Sequence, residues 1–345
     1  MNAKTIAIDL AKNVYQLAIS STPGKVDSLK RLNRADFERF MRLHEPALVV
    51  MEACGSSHYW CRELAAMGHQ VRQLPGQHVK GYRRGNKTDK NDAKALLEAS
   101  RCEEIRAVPV KSLEQQSLQT LHRLREQYKA TRVMRINLVK AIFREHGIEY
   151  EERTALFLKQ AAEYAEAPSL RLLKRVIMET LQEITRLEES MADIERELRQ
   201  FTENNSAIKV LTQIPGIGLL NSTALVAAVG DPNYFSSGRH LSAWLGITPS
   251  EKSSGESRKQ YRITRRGDVY LRTLLIHGAR SALVHAQGTA KNKPERMTKL
   301  QCWAVNLAKR IGHNRAVVAF ANKIARIAWA LWKHERQFNA ELAAI

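Results

Sequence analysis

The stretch Thr5-Ile-Ala-Ile-Asp9 decides the fold of the N-terminal part of the chain, because a short apolar run that ends in an acid is typical of a buried strand. The stretch Ala47-Leu-Val-Val-Met-Glu52 repeats the pattern. Further strands are predicted at residues 15–20, 25–32 and 70–74, and helices at 35–43, at 57–67 and from about Thr88 onward. Three early strands followed by alternating helices and strands predict an α/β domain over residues 1–110.

Residues 111–205 are predicted to form a helical coiled-coil region. Apolar residues recur every seven positions from Ile177 to Leu198, and a second set occupies the offset positions from Leu173 to Ile194. This spacing is typical of a coiled-coil seam of about three heptads. A second long helix at 113–146 is a possible antiparallel partner within the same chain. The heptads fit pairing within one chain and dimerisation of two chains equally well.

Residues 206–345 are predicted to form a mostly helical domain. Its helices are expected at 206–213, 219–229, 239–245, 270–284, 299–309 and 314–336. The turn Ile214-Pro-Gly-Ile-Gly218 resembles a helix-hairpin-helix element, in which Gly216 and Gly218 would present backbone N–H groups to a phosphate. The alternative is a tight turn that needs a positive φ at glycine. Residues 246–267 are predicted to be a polar segment without a core of its own.

The net charge of the 345 residues is +20, from 55 Lys and Arg against 35 Asp and Glu. It is +6 over 1–110, zero over 111–205 and +14 over 206–345, so a polyanion such as nucleic acid is expected to bind mainly at the C-terminal part. A membrane surface would instead need a basic amphipathic helix, and the basic cluster lies in a glycine-containing segment. No membrane partner is therefore expected.

The chain is expected to be a cytoplasmic protein that associates with the nucleoid when it is active. Its start shows no pattern of a signal peptide, and no stretch has the composition of a membrane span. Its four cysteines form no CxxC pair, which argues against a disulfide framework or a zinc knuckle. The eleven histidines are dispersed and show no ligand spacing, so surface or packing roles are expected for them.

Four carboxylates are predicted to form a metal site. Asp9 and Glu52 end apolar strands, and Asp89 and Asp92 share one face of a first helical turn. Oxygen ligands that converge in this way suit hard divalent cations and leave room for phosphate. The alternative roles are strand termination, a solvated loop residue and helix capping. A nearby basic patch is predicted to meet a phosphate backbone, and its residues are Lys80, Arg83, Arg84 and Lys87.

A serine-rich segment, Ser253-Ser-Gly-Glu-Ser257, is the third candidate site. A serine hydroxyl becomes a useful nucleophile toward phosphorus where cations stabilise the developing charge. The segment runs into a basic cluster made of Arg258, Lys259, Arg262, Arg265 and Arg266. The alternative is an ordinary flexible loop beside a phosphate-binding run.

Five sequence blocks together resemble the DEDD insertion-sequence transposases, namely insertion-sequence family one-ten and its eleven-eleven subgroup, which are related to the Piv-type DNA invertases. The blocks are Ala7-Ile-Asp9-Leu-Ala-Lys12, Met51-Glu-Ala-Cys-Gly55, Asn86-Lys-Thr-Asp89-Lys-Asn-Asp92-Ala93, Ile214-Pro-Gly-Ile-Gly218 and Leu245-Gly-Ile-Thr-Pro249 with Ser253-Ser254-Gly255. They extend over nearly the whole chain in the family's order. The third and fifth blocks are specific to the family, whereas the fourth block alone is not.

The resemblance implies an N-terminal RuvC-like domain of ribonuclease H fold, a coiled-coil middle and a C-terminal helical transposase domain. It implies that Asp9, Glu52, Asp89 and Asp92 hold Mg²⁺ and that the serine nucleophile is Ser254, with the adjacent Ser253 as the other candidate. It also implies a guide RNA, called a bridge or seeker RNA, that pairs with target and donor DNA duplexes. The assembly would be a homo-oligomer, a dimer or a tetramer on DNA, in which the metal site of one subunit meets the serine of another.

The sequence therefore predicts an RNA-guided DNA recombinase that excises and inserts a mobile element through a phosphoserine intermediate. One alternative is a RuvC-like junction-resolving endonuclease that uses its carboxylates to activate water. A second alternative is a non-catalytic nucleic-acid-binding assembly protein.

Overall fold

The computed structural model describes residues 4–255 and 257–341. The chain divides at residue 113 into two compact units. The helical middle and the C-terminal helices share the second unit, so the predicted boundary at 205/206 stays a prediction. None of the described helices is both long and apolar enough to cross a bilayer.

The first unit is built on a five-stranded sheet with the spatial order β3-β2-β1-β4-β5. Its strands are β1 (Thr5–Leu10), β2 (Tyr15–Ser20), β3 (Ser28–Leu32), β4 (Leu48–Glu52) and β5 (Gln70–Leu74). Strands β1, β2 and β3 pair antiparallel, whereas β4 runs parallel to both β1 and β5. The helices of this unit are α1 (Arg34–Leu43), α2 (Ser57–Ala66), α3 (Gly76–Val79) and α4 (Asp89–Ala99). All five strands of the sheet were predicted; β3 begins three residues later than expected.

Both faces of the sheet are covered around its inner strands, which explains the continuous apolar runs at residues 6–8 of β1 and 48–51 of β4. Ile6 and Ile8 point to one face, into a core that includes Phe37 of α1 and Trp60 of α2. Ala7 points to the other face, where it belongs to a core formed with residues of α4. The small side chain at position 7 lets α4 approach β1 closely.

The second unit begins with a helical arm. Its helices are α5 (Leu113–Glu145), α6 (Thr154–Tyr164) and α7 (Lys174–Glu203). Three ion pairs join α5 to α7, with Arg Nε to Glu Oε distances of 2.6–2.9 Å, and they are Arg125–Glu195, Arg132–Glu188 and Arg135–Glu183. Partners on α7 descend in number as those on α5 rise, so the two helices run antiparallel within one chain. The structure therefore shows the intrachain alternative of the two that the heptads allow, and α6, which the sequence does not predict, packs near the tip of the arm.

The rest of the second unit is mostly helical, as predicted. Its helices are α8 (Ser206–Leu211), α9 (Leu219–Val229), α10 (Gly238–Trp244), α11 (Val269–Asn292), α12 (Lys299–Ile311) and α13 (His313–His334). A single apolar core joins all of them and includes Leu225, Leu275 and Phe320. Helix α11 extends eight residues beyond its predicted end.

The polar segment 246–267 contains two strands that the sequence analysis does not predict. Strands β6 (Pro249–Ser254) and β7 (Ser257–Ile263) form an antiparallel hairpin. Almost every side chain of the hairpin is exposed, so neither strand has the alternation of apolar and polar residues that indicates a half-buried strand. The hairpin therefore has a defined shape although the segment has no core.

Candidate functional site

Asp9 and Glu52 lie at the carboxyl ends of two neighbouring parallel strands. The register pairs Ile8 of β1 with Met51 of β4, and each acid follows one of these two residues. Both side chains are half-buried. The Glu52 carboxylate lies against Gly76, where a Cβ would overlap it, so only glycine at position 76 leaves Glu52 in this position.

Asp89 and Asp92 lie in the first turn of α4, as predicted. The Thr88 hydroxyl caps this helix by accepting a hydrogen bond from the Asn91 backbone N–H at 3.3 Å. The capping role is therefore taken by Thr88, and neither aspartate is needed for it. Since α4 packs on β1, its first turn brings both aspartates toward Asp9.

The four carboxylates act on one another electrostatically. Burial and, to a smaller extent, the negative charges of Asp92, Asp89 and Glu52 together raise the pKa of Asp9 to about 6, whereas the charge of Lys87 opposes the shift. The three neighbouring carboxylates therefore add negative charge around Asp9 beyond the effect of its burial. This negative charge favours a bound cation.

The chemistry of this donor set fits a hard divalent cation, because all four groups offer carboxylate oxygens. Within the described residues, however, no three His, Cys, Asp or Glu side chains converge closely enough to hold a metal ion together. One of the four carboxylates already has a cationic partner, since the guanidinium Nη1 of Arg83 lies 3.3 Å from Asp92 Oδ1. Joint ligation would require Asp92 to leave Arg83.

The basic patch thus divides into two kinds of residue. Arg83 is half-buried and pairs with Asp92, so in the structure it neutralises that carboxylate. Lys80, Arg84 and Lys87 are exposed. Their contact with a phosphate backbone stays a prediction.

The hairpin sorts its side chains onto two faces. Cross-strand partners share a face, and the register pairs Ser254 with Ser257, Lys252 with Lys259, Ser253 with Arg258 and Glu251 with Gln260. One face therefore carries Ser254, Ser257, Lys252 and Lys259, with Tyr261 farther along β7. The other face carries Ser253, Glu251 and Arg258.

The two candidate serines differ in their surroundings. The Ser253 hydroxyl donates to Glu251 Oε1 at 2.7 Å, and Arg258 Nη2 donates to Glu251 Oε2 at 2.9 Å. On this face, Glu251 therefore pairs with Arg258 and accepts a hydrogen bond from Ser253. Ser254 instead shares its face with two lysines and no acid among the described residues. A developing negative charge on a serine oxygen would be stabilised on the Ser254 face and opposed by Glu251 on the other.

The remaining predicted phosphate contacts lie in different settings. Arg258 is engaged by Glu251, whereas Lys259, Arg262, Arg265 and Arg266 are exposed along β7 and after it. Arg265 has a left-handed backbone with φ of 56°.

The glycine turn at residues 214–218 packs closely against α11. Gly216 has φ of +89°, and a Cβ there would lie 2.7 Å from the Gly278 backbone oxygen of α11. Positive φ and close approach both demand glycine at this position. Gly218 is exposed and directly precedes α9. A phosphate contact at either glycine stays a prediction.

Sequence reasoning missed two residues that matter for these geometries, Lys252 and Gly76. Lys252 flanks Ser254 together with Lys259, which the sequence places in the basic cluster, and the two lysines share a face only because β6 and β7 pair. Gly76 follows Pro75, and a Pro-Gly dipeptide marks a turn, but nothing in the sequence connects that turn with Glu52.

Comparison with known proteins identifies relatives over the whole chain. A profile named for the DEDD transposases of IS110 and described as a transposase matches residues 6–148, and a profile described as the transposase IS116/IS110/IS902 family matches residues 208–294. A probable family 20 transposase of Pseudomonas aeruginosa is 38% identical over 97% of this chain and 98% of its own length. The transposase for insertion sequence element IS1111A of Coxiella burnetii is 36% identical over 97% and 91%. The transposase for insertion sequence element IS1328 of Yersinia enterocolitica is 30% identical over 96% and 97%.

Proposed function

This chain belongs to the IS116/IS110/IS902 family of transposases, enzymes that cut and rejoin DNA, and we propose that it excises and inserts an insertion sequence through a serine nucleophile. The nucleophile we assign is Ser254. The observation that carries the assignment is the sorting of the hairpin, which puts Ser254 beside two lysines and puts Ser253 beside an acid. Family membership argues against the alternative of a non-catalytic assembly protein.

The DEDD domain of the family suggests a divalent metal, and we propose Mg²⁺. Asp9, Glu52, Asp89 and Asp92 would hold it. When bound, it would supply positive charge that stabilises the phosphoryl oxygens. Gly76 leaves room for the Glu52 carboxylate, and Arg83 neutralises Asp92 until the cation replaces it.

In the proposed step the Ser254 oxygen forms a bond to a DNA phosphorus, and the bond from that phosphorus to the sugar oxygen of the departing strand breaks. The serine gives up one proton and the departing oxygen takes one up, so the step consumes neither protons nor electrons. Lys252 and Lys259 stabilise the charge that develops on the serine and phosphoryl oxygens. A hydroxyl of the incoming strand reverses the step and releases the serine.

We further propose that a structured guide RNA selects the DNA and that the active assembly is a homo-oligomer. The resemblance of the sequence blocks supports the RNA, and the charge of +14 over residues 206–345 supports the binding of several polyanions at once. The intrachain pairing of α5 with α7 means that the coiled coil has a partner within one chain. Oligomerisation therefore has to use other surfaces as well.

The experiment that tests the nucleophile is the capture of a protein–DNA adduct under denaturing conditions. The substrate is the element's end joined to flanking DNA, supplied with the RNA transcribed from that end and Mg²⁺. The wild-type protein and Ser253→Ala should form the adduct, and Ser254→Ala should not. An adduct that persists in Ser254→Ala and disappears in Ser253→Ala would overturn the assignment.

The same experiment tests the alternative of a junction-resolving endonuclease that acts by hydrolysis. An endonuclease that activates water with its carboxylates would cut DNA without any covalent protein product. Cleaved DNA with no adduct, and with Ser254→Ala still active, would support that alternative. The high pKa of Asp9 is the observation in its favour, since a carboxyl with a pKa near 6 is suited to accept a proton.

A further inference from the structure

A cleft at the foot of the hairpin has no role in the function proposed so far. It has a volume of about 880 Å³ and lies between β7 and the start of α13. Three arginines line it, Arg262, Arg265 and Arg315, and none of the described residues that line it is acidic. Arg315 belongs to none of the sequence motifs.

The cleft has a fixed frame. Asn322 of α13 donates to the Ile247 backbone oxygen at 3.2 Å, which ties the helix to the start of the hairpin. The Arg265 backbone N–H donates to the Gly246 oxygen at 3.1 Å, and Gly246 packs so closely on Gly267 that a Cβ would lie 2.7 Å from its nitrogen. Arg272, which is buried, donates to the backbone oxygens of both Leu245 and Gly267.

The chemistry of the lining selects an anion with several charged groups. Arg262, Arg265 and Arg315 are all exposed, so their guanidinium groups can be reached from solvent. Planar guanidinium groups donate in pairs to phosphate oxygens. The start of α13 adds the positive end of a 22-residue helix, which no side chain among the described residues caps.

We propose that this cleft binds the phosphodiester backbone of the DNA strand that is joined to Ser254. The proposal rests on the function proposed above, because β7 carries the cleft residues at one end and pairs with Ser254 at the other. Tyr261, which lines the cleft, lies on the Ser254 face four residues along β7 from Ser257, the partner of Ser254, whereas Arg262 points to the opposite face of the hairpin. At a strand rise of about 3.3 Å per residue the distance from Ser257 to Tyr261 is about 13 Å, or about four base-pair steps of B-form DNA.

The test measures equilibrium binding without chemistry. The full chain carries Ser254→Ala, and the probe is a fluorescent DNA duplex of arbitrary sequence, titrated over a range of salt concentrations. The cleft variant carries Arg262→Gln, Arg265→Gly and Arg315→Gln. Glycine is chosen at position 265 because it accepts the left-handed backbone without strain.

The matched control removes three exposed cations of the same unit that lie outside the cleft, through Lys291→Gln, Lys309→Gln and Arg310→Gln. The slope of log affinity against log salt should become less steep by about 2 to 3 in the cleft variant, since each lost phosphate contact removes about 0.9. It should change by less than about 1 in the control. Arg315→Gln alone, on an exposed helix start, should remove about 0.9 and guards against a folding defect in the triple variant.

Equal changes of slope in the cleft variant and in the control would overturn the proposal. A duplex RNA of the same sequence serves as a second probe, and a loss confined to RNA would overturn the assignment to DNA. The adduct assay, repeated with the cleft variant in a background that retains Ser254, separates the two proposals. If the cleft variant has a normal salt slope and still forms the adduct, only the cleft proposal is refuted. If the cleft variant has a reduced salt slope but the wild-type protein forms no adduct, only the serine proposal is refuted.

Discussion

Lowering the pH from about 7.5 to about 5 should destabilise the second unit through one buried histidine, His122 of α5. Its side chain is 3% exposed and contacts two other helices. The ring Nδ1 lies 3.0 Å from the Tyr270 hydroxyl of α11, and the ring Nε2 lies 3.0 Å from the Thr223 hydroxyl of α9. These contacts make His122 a junction between the arm and the C-terminal helices.

The hydrogen bonds define the neutral form of the ring. Thr223 donates its only hydroxyl proton to the Leu219 backbone oxygen at 2.6 Å, so it must accept from His122 Nε2. The other ring nitrogen then accepts from Tyr270, whose pKa is raised to about 12 by burial and which therefore keeps its proton. Protonation of His122 Nδ1 would remove this acceptor.

The magnitude follows from the pKa. Burial, with a smaller contribution from the charge of Arg125, lowers the pKa of His122 from 6.5 to about 4. Between these values the unfolded chain binds a proton that the folded chain does not, so the free energy of unfolding falls as the pH falls. At about 1.4 kcal/mol per pH unit the loss is about 2 kcal/mol at pH 5 and about 3 kcal/mol once the pH reaches 4.

The measurement compares the wild-type protein with His122→Gln in urea unfolding at both pH values. Glutamine keeps a donor and an acceptor but does not titrate. The advantage of the wild-type protein at pH 7.5 should shrink by about 2 kcal/mol at pH 5, while all other titrating groups cancel in the comparison. Parallel pH dependence of the two proteins would show that His122 is not held neutral.

Three further predictions concern other parts of the chain. Asp9→Asn should raise the free energy of unfolding of the metal-free protein at neutral pH by about 1 kcal/mol, because it removes a carboxylate whose charged form is disfavoured in the fold; this figure allows for solvent screening of the half-exposed group. The same substitution should abolish any rise in Tm on addition of Mg²⁺. A loss of metal-free stability would contradict this reasoning. Gly216→Ala should cost about 2 kcal/mol or more in urea unfolding through its positive φ and its contact with α11, whereas Gly218→Ala, with open space around it, should cost less than about 1 kcal/mol. Arg132→Glu should lower Tm, and adding Glu188→Arg should recover most of an effect of about 1 kcal/mol; failure of the second change to compensate would contradict the pairing across the arm.

The sequence predicts the parts of the fold that rest on local patterns. Apolar runs mark the strands that carry Asp9 and Glu52, and heptads mark the arm. The hairpin escapes prediction because its strands are exposed on both faces, and the contacts that define it, namely backbone pairing, turn geometry and the exposed Glu251–Arg258 pair, leave no apolar pattern in the sequence. Helix α6 escapes because it is short and packs against the arm tip through Phe157 and Ala161, which alone give no distinct helical periodicity.

The candidate site shows the same limit of local patterns. Strand ends and the first turn of a helix predict four carboxylates that act on one another, and the raised pKa of Asp9 agrees with that grouping. The sequence assigns Arg83 to phosphate because a run of basic residues does not show which group each of them contacts, but the structure pairs Arg83 with Asp92. Similarly, Gly216 contacts Gly278, which lies 62 positions away, and no local pattern predicts that approach.

Because α5 and α7 run antiparallel, matched insertions in the two helices would change the length of the arm without moving its base. The chain leaves the body of the second unit along α5 and returns along α7, so the two helices enter and leave at the same end. Inserting one heptad into each helix at matched positions would move the tip outward by about 10 Å, at 1.5 Å per residue, and leave the base in place. Relatives can therefore differ in reach without any change in the helices that carry the serine hairpin.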